Sequence, residues 1–365
     1  MYDLYGKLIG NLSNYLYTYI LIILLVAGGI YFTVRTKFVQ FRYLKESLKV
    51  VLAPSEDDKA ISSFQALMVS TASRVGTGNI AGVSTAICLG GLGSLFWMWL
   101  TALLGMSTAF VEGTLAQIYK RRSDDGGCYG GPSYYIDQAI GKHWLGILFA
   151  VFMILTYMVG FNLVASFNIA DAFRVIPGYV EHENLAKWII GGVLAVLFFV
   201  CISGGGKQIA GITEKIVPFM GFFYIAVALF VIVTHINLLP GVFAEIFRGA
   251  FDVKAIFGGF TGSAVMLGIK RGLFSNEAGV GAAACAAGSA GVSHPVKQGL
   301  VQVLSVFLDT CMICTATAML LLCSGVEPQA DMAGMAYVQA AMNSTLGKFG
   351  VIFITVSLFL FAFTT

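Results

Sequence analysis

The nine residues Arg74-Val75-Gly76-Thr77-Gly78-Asn79-Ile80-Ala81-Gly82 lie inside the apolar run 62–88, which is long enough to cross a bilayer. Three glycines within seven positions weaken a helix, because each costs up to about 1 kcal/mol against alanine. In hydrocarbon the penalty grows, since a backbone group freed from the helix finds no water to bond. Such an interruption survives where the loosened backbone lines a cavity or holds a ligand. The stretch therefore points to a protein that carries something through a membrane.

Composition agrees. Of 365 residues, 58% are hydrophobic and 11% are charged, against roughly 25% charged in soluble domains. Further apolar runs lie near 15–34, 93–118, 144–170, 186–203, 215–236, 255–285, 298–323 and 348–365. A span needs about 20 residues, so the chain reads as eight spans and a ninth that meets the chain end. The final run, VIFITVSLFLFAFTT, has no flanking charge and reads as a helix cut short. Residues 15–34 lack a small-residue cleavage site and read as a retained span, not a signal peptide.

Lysine and arginine alternate across the loops. Thirteen fall in 35–59, 119–143, 204–215 and 286–297, against five in 171–187, 236–254 and 324–348. The richer set is expected in the cytoplasm, which puts the N-terminus outside the cell membrane. The net charge of +3 reflects this bias and does not suggest nucleic acid.

Several features have a plain reading. Cys311 and Cys314 form C-x-x-C inside an apolar run, with no second pair or nearby histidine, and are expected to pack. GTGNIAG resembles a dinucleotide fingerprint, but its spacing differs and no strand precedes it. The four histidines fall near span ends. Glu112 lies inside a run, where an acid is costly and commonly functional. With Asp309 it is the candidate acid of an intramembrane enzyme, but the two sit in different runs without a histidine between them. A channel would need a continuous polar pore. Neither rival is favoured: the chain reads as a transporter, not an enzyme, and needs no cofactor.

Three segments narrow the class: TASRVGTGNIAGVSTAI (71–87) with GGLGSLFWMWLTALLGMSTAFVEGTLA (90–116), GGPSYYI (130–136), and GIKRGLFSNEAGVG (268–281) leading into HPVKQGLVQ (294–302). Together they resemble the alanine or glycine:cation symporters, the sodium:alanine symporter family, from about residue 15 to the end. Members usually continue for several further helices. The resemblance implies an all-α polytopic membrane protein with a five-helix inverted-repeat amino-acid transporter fold and two broken helices. Residues 1–365 would form one membrane domain: a leading helix at 15–34, a first repeat over 62–236, and an incomplete second repeat over 255–365. The implied function is sodium-coupled symport of a small neutral amino acid. The alternative is proton-coupled transport of another small amino acid or a related zwitterion.

At the first break, unpaired N–H groups near Thr77, Gly78 and Asn79 would suit a substrate carboxylate; Asn79 could instead cap the break. The upstream half-helix leaves carbonyls that suit sodium. By resemblance to the wider fold, the cation site takes carbonyls at Ala72, Val75 and Phe361 and hydroxyls at Thr364 and Thr365. The competing reading is that both hydroxyls back-bond to their own helix. No acidic side chain is expected at the break itself, so the substrate carboxylate would balance part of the cation's charge.

Run 255–285 carries seven glycines from Gly258 to Gly281 together with Lys270 and Arg271. A helix would place those two cations roughly 24 Å inward from Lys254, toward the cytoplasmic face. The second break is expected near Thr261, Gly262, Ser263 and Met266, which join the substrate-binding set. In the family pattern matching 161–172, a glutamine faces the substrate; this chain has Ala165 there, and Phe167 where asparagine is usual. GGPSYYI also departs from GPMYYI, and the alanine-rich tail after SNEAG lacks the usual proline and histidine.

Overall fold

The computed structural model describes residues 2–54, 60–124, 127–252 and 263–365, with side chains from residue 6 onward. Apolar chain in a bilayer must satisfy its backbone internally, and helices do so within one segment. Among the described residues seven helices are long and apolar enough to cross a membrane. They are α1 (Gly6–Arg35), α5 (Ser94–Ile118), α7 (His143–Val175), α8 (Glu183–Ile202), α9 (Gly205–Thr234), α13 (Pro295–Leu322) and α14 (Met335–Thr364). Shorter helices intervene: α2 (Leu44–Leu52), α3 (Ser63–Arg74), α4 (Gly78–Gly90), α6 (Pro132–Ile140), α10 (Leu239–Ala250), α11 (Ala264–Asn276) and α12 (Ala282–Gly288). The described β-structure is a small hairpin, Arg121–Arg122 with Cys128–Tyr129, and one isolated bridge between Ile61 and Ala290. No strand precedes the glycine stretch, since α3 runs directly into it.

The two apolar runs that do not appear as long helices are those expected to be broken. Run 62–88 divides into α3 and α4, and the described part of run 255–285 divides into α11 and α12. Burial sorts the long helices: 72% of the most apolar window of α13 is buried, against none for α7 and α8. Thus α5 and α13 pack together at the centre, touching α11 and α3, while α7 and α8 turn residues such as Phe167 and Trp188 outward. Exposed aromatic and aliphatic side chains over such a surface suit hydrocarbon.

Local chemistry sets the helix ends. Ser62 accepts from the Gln65 N–H while Gln65 Oε1 accepts from the Ser62 N–H, a reciprocal cap at the start of α3. The histidines stand at element ends as expected: His143 opens α7, and His182, His235 and His294 flank helices. Residues 324–348 read as a loop, but α14 begins within them at Met335. It kinks at Gly347 (φ 60°), a conformation open to glycine, so run 348–365 is only its second limb.

Candidate substrate and cation site

The first interruption spans residues 75–77, between α3 and α4. Val75 leaves helical geometry at ψ 87°, and its N–H still donates to the Thr71 carbonyl. Asn79 then holds the opening: its Oδ1 accepts from the Gly76 N–H at 2.9 Å, while its own N–H donates to the Gly76 carbonyl. The capping reading of Asn79 is the one the geometry matches. Its amide also reaches across the bundle, donating to Asp309 Oδ1 at 2.6 Å.

Asp309, fully buried on α13, gathers donors from three elements. Besides Asn79, the Ser275 hydroxyl of α11 donates to Oδ2 at 2.9 Å and Thr310 donates at 2.6 Å. A buried carboxylate is tolerable only when so partnered. Cys314 packs here as well, its Sγ 3.1 Å from Ser275 Oγ and 3.3 Å from Asn79 Nδ2. The C-x-x-C is therefore packing, as expected, and all seven cysteines are free thiols. The expectation of a break without acid is corrected. The acid comes from a distant helix, which a reading of the local stretch does not see.

A second interruption faces the first at Glu277, while the break expected near Thr261 to Met266 falls partly outside the described residues. α11 is continuous from Ala264 to Asn276, with the Ser263 hydroxyl accepting from the Met266 N–H at its start. Met266 packs with Ile22 and Leu273, eight residues and about 12 Å before Phe274 along the helix. Ser263 and Met266 therefore do not line the cavity described below, and Thr261 and Gly262 lie outside the described residues. The chain leaves the helix at Glu277 (φ 50°) and turns through Gly279 (φ 92°) and Gly281 (φ 99°). Among the described glycines of this run, Gly279 and Gly281 hold positive φ and mark this turn. Glu112 braces it, its Oε2 accepting from the Gly279 N–H at 2.9 Å.

Between the interruptions lies a narrow cavity, about 320 Å³ of space between atoms including its mouth. Thr77, Gly78 and Ala165 line it, joined by Arg74, Glu277 and Phe274. The last three carry no role in the sequence reading. Arg74 is buried; its Nε donates to the Asn276 carbonyl at 2.6 Å and Nη1 to Gln302 Oε1 at 3.1 Å, while Nη2 has no partner among the described residues. Glu277 Oε2 accepts from Ser73 and from Tyr157, each at 3.1 Å. Glu277 thus joins Glu112 and Asp309 as a third acid inside the bundle. Their signal was available in the sequence as charge within apolar runs. Tyr157, Phe161 and Phe274 form a stack with centroid spacings of 4.8 and 5.5 Å, closing the α7 side.

The expected cation ligands divide. The Thr365 hydroxyl lies 3.1 Å from the Ala72 carbonyl, 3.2 Å from that of Val75 and 2.8 Å from that of Phe361. One hydroxyl carries one proton and cannot satisfy three acceptors at once. The donor set is all oxygen and carbonyl-rich, which fits a small hard cation. Thr364 does otherwise: its hydroxyl back-bonds to Leu360 and Phe361 at 3.0 and 3.1 Å, leaving it outside the cluster. Among the described residues no group of three His, Cys, Asp or Glu side chains could hold a metal ion.

The sequence profile of the sodium:alanine symporter family matches residues 2–365. The chain belongs to the sodium:alanine symporter family. It is 44% identical over 365 residues to the amino-acid carrier protein AlsT of Bacillus subtilis, covering all of this chain and 76% of that one. The probable sodium/glutamine symporter GlnT of the same organism is 43% identical, with 100% and 75% covered. The sodium/alanine symporter AgcS of Methanococcus maripaludis is 37% identical, with 98% and 80% covered. Family members are transporters, not enzymes, and the spanning helices make this a multi-pass membrane protein.

Proposed function

We propose that the chain couples sodium to the movement of a small neutral amino acid of the alanine or glycine type across the cell membrane, by alternating access. The observation that carries this reading is the convergence of the Ala72, Val75 and Phe361 carbonyls on the Thr365 hydroxyl, a residue that lines the same cavity as Thr77 and Gly78. The end of α3 would hold the cation by its carbonyls. The start of α4 would hold the substrate carboxylate by N–H groups at a positive dipole end. Both ligands then act on one interruption, so each stabilises the arrangement the other needs, and their affinities are coupled reciprocally. Relatives named as sodium/alanine and probable sodium/glutamine symporters support a sodium-coupled amino-acid substrate class. The broken runs 62–88 and 255–285 would open two inverted repeats, 62–236 and 255–365, behind the leading helix at 15–34, with the N-terminus outside.

Proton coupling is the second reading, for another small amino acid or a related zwitterion. The buried carboxylates of Glu277 and Asp309 favour it, as does a relative described as a putative sodium/proton-dependent alanine carrier. Uptake of radiolabelled alanine into proteoliposomes under imposed sodium or pH gradients separates the two. Uptake that follows a sodium gradient at equal pH supports sodium coupling. Uptake that follows a pH gradient without sodium rejects it, and uptake indifferent to both rejects symport.

A further inference from the structure

Lys270 and Arg271 are consecutive cations inside an apolar run, and the fold treats them differently. Lys270 is tied to the leading helix: its ammonium donates to Thr18 Oγ1 at 2.7 Å and lies 5.6 Å from the Tyr17 ring centroid. Arg271 makes no hydrogen bond or ion pair with any described residue, although it is half-buried. Its side-chain stem runs past Gly82, where an added Cβ would meet Arg271 Cδ at 4.0 Å. A guanidinium without a partner in such a place is costly and needs a ligand or water.

What it faces is a second cavity, on the Gly90 side of the first interruption, with about 650 Å³ of space including its mouth. Arg271 forms one wall. Asn168 and Asp171 of α7 contribute to another. The Asn168 amide donates to the Val164 carbonyl at 2.8 Å, which leaves its Oδ1 as an acceptor. Asp171 is paired with the exposed Arg174 at 3.4 Å and so only partly neutralised. The cavity therefore offers a free cation on one side and oxygen acceptors on the other. That is the charge pattern of a zwitterion reversed. Thr77, Gly78, Val164 and Phe274 line both this cavity and the narrow one, so the Phe274 ring and the Gly78 backbone form the partition.

We propose that this vestibule is a first docking station for the transported amino acid, with Arg271 taking its carboxylate before it passes Phe274 to the interruption. The inference rests on the transport reading above and adds a site to it. A cation in a low-dielectric cleft raises the local concentration of the opposite charge and the on-rate, in a salt-sensitive way. Affinity then changes through the on-rate, not through release from the deeper site.

The test compares wild type, Arg271→Gln and Arg271→Lys in lipid nanodiscs, with sodium present. It measures on- and off-rates of L-alanine at low and high ionic strength, with propionate, which keeps the carboxylate and lacks the ammonium, as competitor. Arg271→Gln should slow association on the order of tenfold, remove most of its salt dependence and abolish slowing by propionate. The off-rate and the sodium concentration for half-maximal binding should stay put. Arg271→Lys should keep most of the on-rate. Unchanged association in Arg271→Gln overturns the proposal, and so does a loss confined to off-rate, sodium dependence or melting temperature, which would mark a structural role. Wild-type protein that fails to take up alanine with sodium overturns this proposal and the transport reading together. Normal wild-type uptake with an indifferent Arg271 overturns this one alone.

Discussion

Gly76→Ala tests the cation cluster through a residue that donates nothing to it. A Cβ at Gly76 would stand 2.5 Å from Thr365 Oγ1 and 3.3 Å from Thr365 Cβ and Cγ2. Ordinary contact begins at 3.4 Å, so the hydroxyl would have to withdraw by about 0.9 Å in an interior with little free space. It cannot keep its 2.8–3.2 Å distances to the three carbonyls while doing so. An interaction between a hydroxyl and a charged group contributes about 1.5–3 kcal/mol, which converts to roughly 10–150-fold in affinity. The sodium concentration for half-maximal alanine uptake should rise by that factor, while the ranking of competing amino acids stays unchanged. Thr365→Ala should cause a similar rise. Because both variants remove one interaction, the double variant should show far less than the product of the two effects. A folded Gly76→Ala protein with wild-type sodium dependence, or full additivity with Thr365→Ala, would refute the reasoning.

Other perturbations probe neighbouring parts. Gly78→Val should abolish alanine binding while leaving membrane insertion intact, because its first side-chain carbon would already stand 3.1 Å from Phe274 Cδ1; wild-type binding in a well-folded variant would move the site elsewhere. Ala165→Gln restores an amide to the cavity wall and should shift preference toward glycine and alanine over bulkier competitors, by about 1–3 kcal/mol per methylene lost. An unaltered competitor ranking would show that this wall does not meet the substrate. Asp309→Ala leaves the donors of Asn79, Ser275 and Thr310 without their acceptor and should lower the melting temperature sharply, at about 1–3 kcal/mol per stranded group. Asp309→Asn should recover part of the loss, and equal melting of Asp309→Ala and wild type would contradict the proposed bracing.

Much of this protein was legible in the chain. Low charge and continuous apolar runs of about 20 residues point to a bundle of membrane helices, since a helix satisfies its backbone within one segment and a barrel strand is only about half as long. The glycines of 74–82 put an interruption within one run by local conformational cost, and the structure breaks the helix at residues 75–77. Ala72, Val75 and Thr365 meet where the resemblance placed them, while Thr364 follows its own helix, a choice between back-bonding and ligation that spacing leaves open. The interruption from Glu277 to Gly281 was not foreseen, because glycine number shows where a helix can yield, not where its neighbours make it yield. Gly279 turns where Glu112 of a different helix receives its N–H, a partner 167 residues away. The same holds for Asp309 at Asn79 and for Glu277 at Tyr157, separated by 230 and 120 residues. Local sequence determines which segments must be helical and which are weak. Only packing of α5, α7, α11 and α13 around the breaks decides which buried charges meet there, because long-range pairing depends on helix arrangement and leaves no periodic trace in the chain.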